Sequence, residues 1–290
     1  SEIGFINYKE INPKKLKLDY IVEEPSKQNN HYVSIVEKAK GLLNEDDFLK
    51  IVLARKKSIN LSDDFDVWDT FLKVAKEMPN HFVSLHYTPK FGLWLGASPE
   101  TLISVEGDIF RTVALAGSQA YKEGMLTQNA TWTQKEIEEQ ALVSRYIIDC
   151  FKKIRLREYQ DIGPKTVIAG NLMHLKTEFW VNMKEVNFPQ LGTVMLRLLH
   201  PTSAVCGMPK EKAIEFISQN ENFDRKLYSG YLGPVNLEGN SRIFVNLRCT
   251  EIINNIAVLY AGAGITTGSD PEKEFLETEM KMQAVGRFLQ

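Results

Sequence analysis

The sequence predicts an α+β fold, an α/β sandwich resting on large antiparallel sheets. Four short strand-like runs follow one another at 82–87, 92–97, 101–106 and 109–115 with no helical period between them. Glu106-Gly107-Asp108 closes the last two into a hairpin. Helical periods elsewhere seldom alternate with single strands, which argues against a parallel βαβ sheet.

Taken in order, residues 1 to about 28 are polar and lysine-rich without a clear period. A partly ordered lead-in is expected over 1–30, and a single domain over 1–290. His31–Asn44 reads as an amphipathic helix with Tyr32, Ile35, Val36, Ala39, Leu42 and Leu43 on one face. Phe48–Ile59 reads as a strand. Its period of two puts Lys50, Val52 and Ala54 on one face and Leu49, Ile51 and Leu53 on the other. A lysine in such a run either snorkels at a sheet edge, the commoner case, or is buried for a reason. Asp64–Met78 is a second helix, carrying Trp68, Phe71, Leu72 and Ala75. Gly96-Ala97-Ser98-Pro99-Glu100 presents Glu100 from a turn, because proline stops the pairing.

Thr133 to about Glu158 is the longest helix, opened by the capping-box pattern Thr133-x-x-Glu136. Ile137, Ala141, Leu142, Val143, Ile147 and Ile148 give it a broad apolar face. Glu136 and Glu139 are three apart, with a plain capping role as the simpler reading for Glu136. Strand material lies between Thr166 and Met183, and its His174 reads from pattern alone as a hydrogen-bonded core residue. Helices are expected at 188–199 and 209–219, with His200–Pro209 a loop between them. Tyr228–Asn236 and Arg242–Glu251 read as strands, the second containing Arg248. Ile256–Tyr260 leads into Gly262-Ala263-Gly264, read as a glycine turn. A helix then opens with Asp270 as N-cap and Pro271 at its first position. Within it Glu274 and Glu277 share a face, and Lys281 follows one turn on. Amides, acids and a lysine converging at one strand-to-helix junction suit an anion and a divalent cation. A dinucleotide site is disfavoured there, since the third glycine and a later acid-bearing strand are missing.

Composition narrows the classes. The chain has 290 residues, 43% hydrophobic and 25% charged, which is ordinary globular composition. A net charge of −2 supplies no basic field for nucleic acid. Cys150, Cys206 and Cys249 lack metal-type spacing and suggest a reducing, cytoplasmic setting. No apolar run reaches membrane-spanning length, and Ser1-Glu-Ile-Gly-Phe5 does not read as a signal peptide.

Together the motifs resemble the chorismate-utilising enzymes, and within them isochorismate synthase. The pieces are Lys50-Ile-Val-Leu-Ala-Arg55, Gly96-Ala-Ser-Pro-Glu100, Leu115-Ala-Gly-Ser118, Glu136-x-x-Glu139, His200-Pro-Thr-Ser-Ala204, Glu221-Asn-Phe-Asp-Arg225, Tyr228-Ser-Gly230, Asn246-Leu-Arg-Cys249 and the stretch from Leu259 to Lys281. They stand in family order from about Lys50 to Lys281. The resemblance implies two large antiparallel sheets with helices outside, and a monomer needing no glutamine amidotransferase subunit. It implies water addition at C2 of chorismate with loss of the C4 hydroxyl, Lys50 as general base and Glu100 as general acid. Both groups would have to leave their ordinary protonation states. It implies Mg²⁺ held principally by Glu139 and Glu277, with Glu136 and Glu274 one turn away. It also implies a substrate pocket formed by Gly117, His174, Ala204, Tyr228, Arg248, Tyr260, Gly262, Ala263 and Lys281. Gly117 is expected to let the backbone approach the substrate. Members often carry a longer N-terminal segment, so a short or trimmed version is expected. Glu139-Gln140 departs from the Glu-His frequent in relatives, and the 200–207 loop differs slightly in its Pro and Gly choices. Lys50 argues against anthranilate synthase, which uses glutamine there. Ala204 leans away from salicylate synthase, the nearest alternative, where threonine is usual. Retention of Lys50, Glu100 and both acid pairs disfavours a catalytically silent chorismate-binding protein.

Overall fold

The computed structural model describes residues 25–45, 48–121, 124–169 and 172–289. Most of the expected lead-in, residues 1–24, lies outside them, while Pro25–Asn30 open the first helix. Helix α1 (Pro25–Asn44) buries the expected stripe of Tyr32, Ile35, Val36, Ala39 and Leu43. Strand β1 (Lys50–Asn60) follows, then α2 (Val67–Glu77), whose N-cap Asp66 accepts from the amides of Trp68 and Asp69. Leu72, expected on the apolar face of α2, is exposed, and Val74 is buried instead. Strands β2 (Phe82–Thr88), β3 (Gly92–Ser98), β4 (Thr101–Glu106) and β5 (Ile109–Ala120) come next, followed by α3 (Gln134–Lys153). The buried stripe of α3 runs through Val143, Tyr146, Ile147, Cys150 and Phe151. Ile137 and Ala141 face outward, against expectation.

Strands β6 (Gln160–Ala169) and β7 (Leu172–Asn182) form a long antiparallel pair. The start of β6 escapes the periodic reading because Gly163-Pro164 shifts its register between Ile162 and Lys165. Then come α4 (Leu191–Leu199), the short β8 (Gly207–Met208) and α5 (Lys210–Asn220). Strands β9 (Tyr231–Leu232), β10 (Ser241–Val245), β11 (Cys249–Ile253) and β12 (Ile256–Ile265) lead to α6 (Pro271–Gly286).

Among the described residues two six-stranded sheets form, β2-β3-β11-β12-β1-β8 and β6-β7-β5-β4-β10-β9, antiparallel in every pairing. Helices α3 and α4 pack on the second sheet around Phe110, Phe151 and Phe179. Helices α2 and α6 cover the first around Leu95, Ala261 and Val285, and α1 and α5 cover it around Ile51, Leu53 and Ala263. No helix of the described residues is long and apolar enough to cross a membrane.

Three expectations are corrected in ways that matter for the site. Tyr228–Asn236 is mostly turn, because Ser229 has φ 65 and Gly233 has φ 154, leaving only two residues paired with β10. Gly262-Ala263-Gly264 is no turn. It continues β12 in register with β1, Gly262 opposite Ala54 and Gly264 opposite Val52. The expected strand 242–251 is broken at Asn246–Arg248, where Arg248 takes φ 50 and the chain passes from one sheet to the other. Next to it β3 hands over to β4 through Pro99-Glu100. The two crossings are stitched together by Ala97 N–H to Arg248 O (3.0 Å), Val245 N–H to Glu100 O (3.0 Å) and Ser98 Oγ–H to Val245 O (2.5 Å). A two-stranded ribbon thus bends from sheet to sheet, with Glu100 and Arg248 at the bend.

Candidate active site

One cavity lies where the two sheets meet. Val52, Tyr260, Gly262 and Gly264 line it from the first sheet, and Leu115, Gly117 and His174 from the second. The crossings add Glu100 and Arg248, the 200–209 loop adds Ala204, and Glu139, Tyr228 and Lys281 complete it. Lys50 is fully buried, so the snorkelling reading falls. Its Nζ stands 2.9 Å from Glu139 Oε1. Gly264 makes that closeness feasible: a Cβ there would lie 2.3 Å from Glu139 Oε1 and 2.7 Å from Lys50 Cε.

Glu100 is 5% exposed and its side chain makes no hydrogen bond to another described residue. Burial pushes its pKa up to about 7, against the opposing pull of Lys50, Arg248 and Lys281. It therefore holds its proton into the neutral range, as a general acid must. Arg248 faces the cavity with no ion pair or side-chain hydrogen bond to a described residue. Burial lowers its pKa, with Tyr228, Glu277 and Glu100 acting the other way. A guanidinium left without a partner in an enclosed site is a receptor for a carboxylate.

The edge of β12 adds amides. Val52 N–H goes to Cys206 O (2.7 Å) and Ala54 N–H to Glu221 Oε1 (2.7 Å), so both turn their main-chain groups away from β12. By antiparallel alternation, Gly264 and Gly262 turn theirs away from β1. Strand β11 pairs β12 only up to Leu259, so it leaves these amides unclaimed. Lys281 Nζ donates to Gly262 O at 2.9 Å and pairs with Glu277 Oε1 at 2.6 Å. Tyr228 is buried beside Gly262, its pKa raised to about 12 by desolvation.

His174 Nδ1–H donates to Gly117 O at 2.7 Å, which fixes the tautomer and leaves Nε2 buried without a partner. Burial and Arg248 lower its pKa to about 3, so the ring is neutral and Nε2 is an acceptor. Gly117 is needed for a reason other than the one expected. It sits with φ 71 at the register shift of β5, and an added Cβ would meet Trp132 and the Glu136 Cβ rather than the cavity. Ala263 is corrected too: strand alternation turns it to the opposite face, into the α1 core. Tyr260 lines the cavity, but its hydroxyl donates to Glu251 Oε2 (3.0 Å) and its ring is stacked between Trp94 and Tyr228.

The four acids expected at a metal do not converge as they stand. Glu136 Oε2 accepts from Thr133 N–H at 2.7 Å and from Thr133 Oγ at 3.0 Å, which is the capping role. Glu139 faces Lys50, and Glu277 faces Lys281. Glu274 Oε1 accepts from Lys135 at 2.6 Å. Among the described residues no three acidic, His or Cys side chains come within metal-binding reach of one another. The donor chemistry still suits Mg²⁺, because Glu139, Glu274 and Glu277 supply hard oxygens. Glu274 Oε2 is moreover buried with no partner. Burial works to raise the Glu139 pKa, yet Lys50, Lys135 and Lys281 outweigh it and hold the carboxyl below its usual range. Sequence reasoning missed Lys135, although its position one turn before Glu139 put it on the same helix face.

The family of chorismate binding enzymes matches residues 3–290. The chain is 28% identical to the isochorismate synthase EntC of Escherichia coli (strain K12) over 276 residues, 92% of this chain and 69% of EntC. It is 28% identical to MenF of the same strain over 266 residues, 89% of this chain and 60% of MenF. Solved structures of isochorismate synthases superpose well. DhbC from Bacillus anthracis gives a TM-score of 0.82 at 28% identity, covering 94% of this chain and 76% of that one. MenF from Escherichia coli gives 0.77 at 27%, covering 90% and 61%. With a match over nearly its whole length and a cavity at the seam of two antiparallel sheets, the chain belongs to the chorismate-utilising enzyme family.

Proposed function

We propose that this protein is an isochorismate synthase, converting chorismate reversibly to isochorismate with Mg²⁺. The observation that carries the reading is a buried Glu100, its pKa raised to about 7, in one cavity with the unpartnered guanidinium of Arg248 and with Glu139, against which the buried Lys50 stands. Chorismate is a dianion. Arg248, the Gly262 and Gly264 amides and Tyr228 suit its enolpyruvyl carboxylate. The ring carboxylate belongs on the side of Glu139, Glu274 and Glu277, which would hold Mg²⁺, with Lys281 tempering their charge. Bound there, Mg²⁺ supplies a positive charge that anchors and polarises the ring carboxylate.

In this orientation Lys50, once released from Glu139 and without its proton, would take a proton from the water adding at C2. Glu100 gives its proton to the C4 hydroxyl, which leaves as water, while the two ring double bonds move from C1=C2 and C5=C6 to C1=C6 and C4=C5. One turnover leaves Lys50 protonated and Glu100 ionised, and both are reset by proton exchange. Lys50 has to be free of Glu139 to act, and Glu139 is the same group a cation would claim.

The decisive experiment mixes protein, chorismate and Mg²⁺ and resolves the products by chromatography. Isochorismate should form, stop forming in EDTA, and decline as pH rises above about 7 with the loss of the Glu100 proton. Stoichiometric pyruvate would indicate salicylate synthase instead, and product formation unaffected by EDTA would remove the Mg²⁺ assignment.

A further inference from the structure

Three acids and three lysines share the gap between β1, α3 and α6, and their charges cancel. Glu139 stands against Lys50 (2.9 Å), Glu277 against Lys281 (2.6 Å), and Glu274 against Lys135 (2.6 Å), which also lies 4.0 Å from Glu277 Oε2. A site already neutral gains little from an added dication unless one ammonium departs. The three lysines are not equally able to depart. Lys50 has a side chain only 1% exposed, and Lys281 is tied by a second bond to Gly262 O (2.9 Å). Lys135 is the most exposed of the three at 22%, and its only side-chain partners among the described residues are the two acids of α6. It rises from the first turn of α3, at the rim, where its stem can swing to water without repacking the core. Its fit is also incomplete, since it engages Glu274 Oε1 and leaves the buried Oε2 bare.

We propose that Lys135 is a resident cation: its ammonium holds the α6 acids in the metal-free protein and is the group that a divalent cation displaces. The inference rests on the Mg²⁺ reading above and concerns a residue to which that reading gives no part. Lys135 then sets how tightly the site takes up its metal, as an internal competitor fixed in the chain.

The test is calorimetric titration of the metal-free protein with Mg²⁺ alone, at fixed ionic strength and without chorismate. Lys135→Gln removes the competitor and should bind Mg²⁺ about tenfold or more tightly than the parent. Lys135→Arg keeps the charge and should not show this gain. A measurement on the unaltered protein guards against misfolded variants: amine labelling read by mass spectrometry should increase at Lys135 when Mg²⁺ is added. Equal or weaker binding by a folded Lys135→Gln, or labelling of Lys135 unchanged by saturating Mg²⁺, overturns the proposal and leaves the metal site standing. Failure of both the parent and Lys135→Gln to bind Mg²⁺ overturns the metal site as well.

Discussion

Helices α3 and α6 carry the same device in sequence, two glutamates three residues apart near the first turn, and the structure uses the two pairs differently. On α3 the outer acid, Glu136, turns back to the cap and only Glu139 reaches inward. On α6 the cap is Asp270, which accepts from Lys273 N–H at 3.0 Å, and the acids begin one position later than on α3, so that Glu274 and Glu277 both face the gap. Equal spacing therefore does not mean equal duty. The distance from the N-cap decides which acid a helix can spare: Glu136 stands at the third position and is taken by the capping box, whereas Glu274 stands at the fourth, beyond its reach.

The sharpest way to break this comparison is to remove the inward acid of α3. On the proposed Mg²⁺ reading, Glu139→Gln should lower turnover by up to about a hundredfold while the fold persists. Steady-state rates over a range of Mg²⁺ concentrations measure it, and parent-like rates would show that α3 lends no acid to the site. A smaller effect is expected on α6. Glu274→Ala takes from Lys135 its nearer partner and empties a buried position, costing about 1 kcal/mol given the partial exposure of Lys135. Urea unfolding without metal would register it, and no change would mean that the pair is incidental. An effect no larger belongs to Glu136→Ala, about 1 kcal/mol of stability from the lost cap, with turnover changed only a few-fold. A loss of turnover comparable with Glu139→Gln would instead return Glu136 to the metal and erase the contrast between the helices.

These duties show what a one-dimensional reading sees. The α1 stripe, the hairpin at Glu106–Asp108, the caps of α3 and α6, and the split of β1 into a Lys50–Ala54 face and an Ile51–Leu53 face were legible, because period and capping are local. The places of Glu100 and Arg248 were not. Their environment is made by strands from both sheets, and the positive φ of Arg248 has no marker such as glycine or asparagine. The glycines at 262 and 264 misled for a related reason. They look like a turn, yet they are required by what crosses them, Glu139 and Lys50 over one and the Tyr228 hydroxyl by the other. Lys135 was overlooked because its partners lie 139 and 142 positions further along the chain, on another helix. The raised pKa of Glu100 could not be read either, since a turn residue announces neither its burial nor its lack of partners.

The bent ribbon that carries Glu100 and Arg248 has a mechanical corollary. Because the two residues ride adjacent, mutually bonded crossings, the span between the proposed proton donor and the proposed carboxylate receptor is set within a few bonds. Lys50 and the β12 glycines stand on β1 and β12, further along the first sheet from β3 and β11, and no bond of the crossings ties them to that pair. Substitutions that shift β1 or β12 against β11 should therefore disturb the spacing of Lys50 and Glu100 before they disturb that of Glu100 and Arg248.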